Sequence, residues 1–182
     1  PAYTCATLGP LVMKVRTTNS KEDSSKPYMY GAQSITGTGN ISLQMDGGYY
    51  NYMYGVQNAS IQGDIEVTLK DINKDQVYTS YGNTFYGVYS GSNGGNIKVT
   101  AENCNFGSFY ATQSNSCGGN IDSEIKKCTA YQTLSGPYSN ATGGDVTSKM
   151  TDVQGMYVYG AYMSGNVGGS IASTITNAVV TD

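Results

Sequence analysis

At six nearly regular positions along the chain a Gly is followed by Asn, Asp or Ser and then by Ile or Val. The copies are Gly39-Asn40-Ile41, Gly63-Asp64-Ile65, Gly95-Asn96-Ile97, Gly119-Asn120-Ile121, Gly144-Asp145-Val146 and Gly169-Ser170-Ile171, at spacings of 24, 32, 24, 25 and 25 residues. A fixed period of this length means that one supersecondary unit is stacked on the next. The long interval predicts a repeat that carries an eight-residue insertion around Val77–Thr84. A second marker keeps the same phase. Gly31, Gly55, Gly87, Ala111 or Gly136 stands eight residues before the anchor, usually after a tyrosine (Tyr30, Tyr54, Tyr86, Tyr110), and in the sixth copy Tyr157-Val158-Tyr159-Gly160 is displaced by one.

Each repeat reads as two strands. After the anchor, apolar and polar residues alternate (Ile41, Leu43, Met45; Ile65, Val67, Leu69; Ile97, Val99, Ala101), the mark of a half-buried strand. Tyr50, Tyr52, Tyr54 and Val56 fall on one face of the other strand by the same period. Gly, Asn and Ser punctuate both ends, and no helical periodicity is sustained over ten residues. The fold class is therefore all-β, one sheet-forming domain of about six 24–25-residue units. A β-solenoid is favoured, with an antiparallel β-meander as the alternative, since a period of two suits both. Residues 28–182 form the repeat domain. Residues 1–27 lie outside it, as a strand broken at Gly9-Pro10 and a polar loop from Asn19 to Lys26, either capping the first repeat or reaching out as an arm.

Composition narrows the chemistry. There is no His, which removes the usual general base and the usual transition-metal ligand and makes Ser-His-Asp or Cys-His catalysis impossible within this chain. The cysteines have no tight CxxC pair, no phosphate- or dinucleotide-binding loop is present, and no cofactor or metal is expected. Carboxylate pairs, Asp64 with Glu66 and Asp122 with Glu124, are the best case for a polysaccharide-cleaving solenoid, but they read as solvated outward positions of the repeat. A net charge of −3 with scattered Lys offers no footprint for nucleic acid, and no apolar run is long enough for membrane insertion. Pro1 in place of Met, four cysteines and the sequons at Asn40, Asn58 and Asn140 suggest an extracellular or cell-surface protein.

Two features remain. Cys104 and Cys128 share one repeat position, where adjacent coils would bring them within reach of a disulfide, or leave two buried thiols. Cys117, in a turn before Gly118-Gly119, and Cys5, in the leading segment, are candidates for cross-links between copies. Tyrosine reaches 17 residues while charged residues are 13%. Tyr49, Tyr50, Tyr52, Tyr54, Tyr86, Tyr89, Tyr157 and Tyr159 are expected to form an aromatic face for packing between copies. Low charge and regular strands suit sheet edges that pair with one another. The expected function is that of a non-enzymatic, self-assembling structural protein, a homo-oligomer or polymer forming a sheath, surface layer or filament. A glycan-binding adhesin or fibre module using the Tyr-rich face is the alternative. The Gly/Asn/Ser/Tyr-rich β repeat with few cysteines resembles the sheath and surface-layer proteins that encase some methanogenic archaea. That resemblance, in composition and repeat style, implies tubular, disulfide-reinforced and very resistant assemblies.

Overall fold

The computed structural model describes residues 2–7, 9–17, 26–79 and 83–181, the first of these stretches by its backbone alone. The described residues form strands and no helix, arranged in successive rungs. The first rung is β1 (Ala2–Thr7) and β2 (Leu11–Arg16), and the second is β3 (Tyr28–Gly37) and β4 (Ile41–Asp46). The third is β5 (Tyr52–Ile61) and β6 (Ile65–Lys70); the fourth is β7 (Thr84–Asn93), β8 (Ile97–Glu102) and β9 (Asn105–Phe106). The fifth is β10 (Ser108–Cys117), β11 (Ile121–Lys126) and β12 (Thr129–Ala130). The sixth is β13 (Thr133–Tyr138), β14 (Ala141–Thr142) and β15 (Val146–Gly155), and the last is β16 (Tyr157–Tyr159) and β17 (Ile171–Val180).

The strands stack into two walls, one in the order β1-β3-β5-β7-β10-β13-β16 and the other running β2-β4-β6-β8-β11-β15 with β17 beyond β15. The rung-to-rung pairings are parallel, as in Ile41↔Ile65↔Ile97↔Ile121↔Val146↔Ile171. This is a β-solenoid of about six turns, and the antiparallel meander is excluded. The anchoring triplet recurs because every chain turn into the second wall meets the same constraint: the neighbouring rung's backbone lies directly against the anchoring Gly.

The core lies between the walls. Ile41, Ile65, Ile97 and Ile121 form an aliphatic column on the second wall, and Met53, Phe85, Phe109 and Leu134 form an apolar column on the first, all 0–2% exposed. Wall spacing is set by matched volumes. A Cβ on Gly87 would lie 2.6 Å from Val99 Cγ1, and the one rung with Ala111 in this glycine column carries Ser123 in the register of Val99. Corners form where single residues take left-handed backbone angles, at Ser34, Asn58, Ser90, Ser114 and Ser139 in the first wall and at Asp71, Asn103, Lys127, Asp152 and Asn177 beyond the second.

The structure refines the sequence reading at four places. The leading segment is itself a rung, because β1 pairs with β3 and β2 with β4, placing Leu11 beside Ile41 with Pro10 in the slot that Asn40 occupies. The insertion falls in the long connection between β6 and β7, after residues 71–73, which still keep the rung register, Asn73 N–H donating to Gly48 O at 2.8 Å. The one-residue displacement of the sixth copy is absorbed after the strand: Tyr159 still pairs with Ser135, and the extra residue falls between Tyr162 and Val167. Tyr50 belongs to the core and not to an aromatic face. It is 2% exposed, and its hydroxyl lies 2.6 Å from Thr17 Oγ1.

Candidate functional site

Among the described residues the chemistry is distributed along the walls and at one end. The outer face of the first wall is aromatic. Tyr30, Tyr54, Tyr86 and Tyr110 stack rung upon rung at ring-centroid distances of 5.2, 5.0 and 5.6 Å, their planes nearly parallel. The column then crosses to its neighbour, Tyr110 meeting Tyr138 edge-on at 5.1 Å and Tyr138 stacking on Tyr162 at 4.8 Å. Tyr89 sits beside the first column, 4.7 Å from Tyr86, and Tyr28 stacks on Tyr52 at 5.2 Å. Each such pair adds about 0.5–1.5 kcal/mol beyond its buried area. Of the tyrosines expected on this face, Tyr52, Tyr54, Tyr86, Tyr89, Tyr157 and Tyr159 are there, and Tyr49 is half-buried near the corner. Tyr138 and Tyr162 were missed; they continue a column that begins as Gln33, Gln57, Tyr89 and Gln113.

Crowding changes the acidity of these phenols. Burial first, then neighbouring tyrosines, pushes Tyr54, Tyr86 and Tyr138 above the ordinary value of 10.0. The folded protein therefore holds these protons more tightly than the unfolded chain, so the contribution is whole below pH 10 and is lost as pH rises beyond it. Titration followed at 295 nm is expected to show late-ionising tyrosines whose ionisation coincides with loss of β circular dichroism. Ionisation of all the tyrosines near pH 10 with the fold retained would contradict this.

The second wall is charged, and its signs alternate from rung to rung. Arg16, Asp46, Lys70, Glu102 and Lys126 form one column. Glu66, Lys98 and Asp122 form another, with Lys98 Nζ 3.7 Å from Glu66 in exposed surroundings. An exposed pair of this kind contributes about 0.2–1 kcal/mol. Asp64, Glu66 and Asp122 line one shallow hollow together with Lys98. Glu66 and Asp122 flank Lys98, Glu124 pairs in register with Lys149, and Asp64 lies in the turn, its Oδ1 accepting the Asn96 backbone N–H at 2.7 Å. Among the described residues no group of three His, Cys, Asp or Glu side chains is placed to hold a metal.

The turn between the walls carries a continuous hydrogen-bonded ladder. Asn40, Asp64, Asn96, Asn120 and Asp145 each accept, through Oδ1, the backbone N–H of the equivalent residue one rung on, at 2.7–2.9 Å. The N–H and hydroxyl of Ser170 hold the Asp145 carboxyl below its ordinary 3.8. The folded value is depressed, so this stabilisation is present above the unfolded value and lost as pH falls through the folded one. Asp145→Asn is expected to remove part of the acid limb of a stability–pH profile while leaving neutral stability nearly unchanged; an unaltered acid limb would refute the assignment.

The ladder also bears on the sequons. Asn40 is exposed, but its side-chain oxygen is engaged in the ladder, whereas Asn58 stands exposed at a corner. Asn140 is 1% exposed, with Nδ2 donating to Thr112 Oγ1 at 2.9 Å, so it is an interior amide and no site for a glycan.

The cysteines are corrected in part. Cys104 and Cys128 occupy one register position in adjacent rungs, Thr129 N–H donating to Cys104 O at 3.0 Å, and both are buried free thiols. Burial, then the neighbouring Cys128 thiol, pushes the Cys104 thiol well up. Cys117, a candidate for cross-links between copies, is 4% exposed and free, its sulfur accepting from Asn93 Nδ2 at 3.8 Å. It closes strand β10 and points inward, so it does not present a thiol to a second copy. The Cys5 side chain lies outside the described part.

The last feature is an open end. In β17 the inward register positions of Val146 and Met150, both fully buried, pass to Ile171 and Ile175, which are 53% and 42% exposed. Every described residue of this strand is exposed, and none of Ile171–Val180 is charged. On the first wall Tyr157, Tyr159 and Tyr162 stand open at the same end. No family model, no curated protein and no solved structure matches the chain.

Proposed function

We propose that this chain is a structural building block that stacks end to end with copies of itself to form a filament, sheath or surface layer, without enzymatic activity. The observation that carries this reading is the uncovered last rung. It exposes a ten-residue, uncharged, β-branched strand with core-type side chains. A strand edge of that kind is a template for pairing. The first rung supplies a matching surface: Leu11, Met13 and Val15 of β2 occupy the register of Ile41, Leu43 and Met45, and are themselves only half-buried. Placing β2 of one copy beyond β17 of another would continue each core column with apolar residues. Such a head-to-tail contact does not close on itself, so it grows into an open filament.

The two walls divide the lateral surface. The charged wall is suited to water, whereas the aromatic wall, with Tyr28 64% and Tyr157 49% exposed, is suited to side-by-side packing of filaments. The buried thiols of Cys104, Cys117 and Cys128 take no part in contacts between copies in this reading. Light scattering and negative-stain electron microscopy over a concentration series are expected to show particles lengthening with concentration. A chain that stays monomeric at every concentration would sink the reading.

A further inference from the structure

The longest break in the repeat builds a surface of its own on the solenoid. Gln76, Val77 and Tyr78 of the long connection between β6 and β7, together with residues of the short strands β9 and β12, line an open groove of about 530 Å³. Insertions of this kind in repeat proteins fall on one face, often the binding face. The volume is in the range of small-molecule sites.

The floor of the groove crosses three rungs. Asn105, Thr129 and Gln154 occupy one register column, presenting an amide, a hydroxyl and a second amide in succession. Tyr78 and Tyr131 line it as aromatic walls. Tyr78 is held in place: its hydroxyl donates to Tyr50 O at 3.3 Å, and its ring meets Phe85 edge-on at 6.2 Å. Among the described residues no Asp, Glu, Lys or Arg lines the groove, and the nearby Lys26 Nζ is engaged, donating to Gln76 Oε1 at 2.9 Å.

Uncharged amides and a hydroxyl between fixed phenol rings suit a ligand rich in hydroxyls with apolar C–H faces and no charge. Rungs are about 4.8 Å apart. That spacing is close to the rise of an extended β-linked glycan, so successive sugar units would meet successive members of the column. We infer that the groove binds a neutral, extended oligosaccharide lying along the solenoid axis, with Tyr78 as its stacking platform and Asn105, Thr129 and Gln154 as its hydrogen-bonding column. This site is separate from the aromatic wall and does not depend on self-assembly.

The test is titration of the chain with cellohexaose, xylohexaose and, as a charged control, oligogalacturonate, read by calorimetry and by amide chemical shifts. A neutral oligosaccharide is expected to bind, with shifts centred on Asn105, Thr129 and Gln154. Tyr78→Ala is expected to weaken binding about tenfold or more. Because Tyr78 also packs on Phe85, Gln154→Ala at an exposed position is the control against misfolding. It is expected to weaken binding several-fold with an unchanged melting curve, while Tyr54→Ala on the aromatic wall leaves affinity intact. The inference is overturned by no binding of either neutral ligand at millimolar concentration, by preference for the charged one, or by affinity indifferent to both groove substitutions.

Discussion

Phe109→Ala is expected to cost about 3–5 kcal/mol of unfolding free energy. Phe109 is fully buried, its ring stacks on Phe106 at 4.5 Å, and it occupies the fifth rung, in the column that runs Met53, Phe85, Phe109, Leu134. Removing it leaves a cavity that parallel strands, fixed in register above and below, cannot close. The position in the stack adds to the effect. In a repeat array stability is a sum of rung terms and nearest-neighbour terms, so a weakened middle rung uncouples the rungs on either side. Urea denaturation of the variant is expected to show an earlier and broader transition than the parent. Tyr28→Ala, at a position 64% exposed, is expected to stay within about 1 kcal/mol. A Phe109→Ala protein within 1 kcal/mol of the parent would mean that the two walls do not share one core.

The second large effect concerns assembly and not folding. Ile175→Lys places an ammonium on the inward register of β17, where the side chain is 42% exposed in the single chain and would be covered in a stack. Burying an unpaired charge there is prohibitive, whereas in the isolated chain the lysine reaches water. Growth with concentration should be lost, with the melting curve nearly unchanged. Thr176→Lys, on the outward register of the same strand beside Thr151, adds the same charge without entering the seam. It is expected to leave assembly in place. If both substitutions block growth equally, the effect is general repulsion and end-to-end stacking fails; if neither does, the contact lies elsewhere.

Much of the fold is legible in the sequence because one triplet is forced at every crossing between walls. Gly-Asn-Ile and its variants encode a close backbone approach, a ladder acceptor and an inward side chain in three consecutive positions. Parallel stacking is not legible in the same way, since alternation of apolar and polar residues describes a strand and not its neighbour. The misplacements have one cause. Tyr50, Tyr52, Tyr54 and Val56 are evenly spaced by two, yet Tyr50 and Val56 point in and Tyr52 and Tyr54 point out. The chain changes face between Tyr50 and Tyr52, where the strand begins, and again at Gly55-Val56, where two consecutive residues are buried. Cys117 and Asn140 were misread for a related reason, because a Gly or Ser neighbour suggests an exposed turn while a left-handed residue upstream, Ser114 or Ser139, has already redirected the side chain. The groove was beyond reach: its wall and floor come from the insertion and from three later rungs, which nothing in linear order brings together.

The alternating charge column has a consequence for how the chain finds its register. With Arg16, Asp46, Lys70, Glu102 and Lys126 in sequence, a strand displaced by one whole rung meets its own sign, whereas a displacement of two meets the opposite sign again. The aliphatic columns are nearly blind to either slip, since Ile is exchanged for Ile. The charges thus work as a parity check on a near-periodic chain, rejecting odd errors, while the even ones must be caught by features that occur once, such as the insertion after β6.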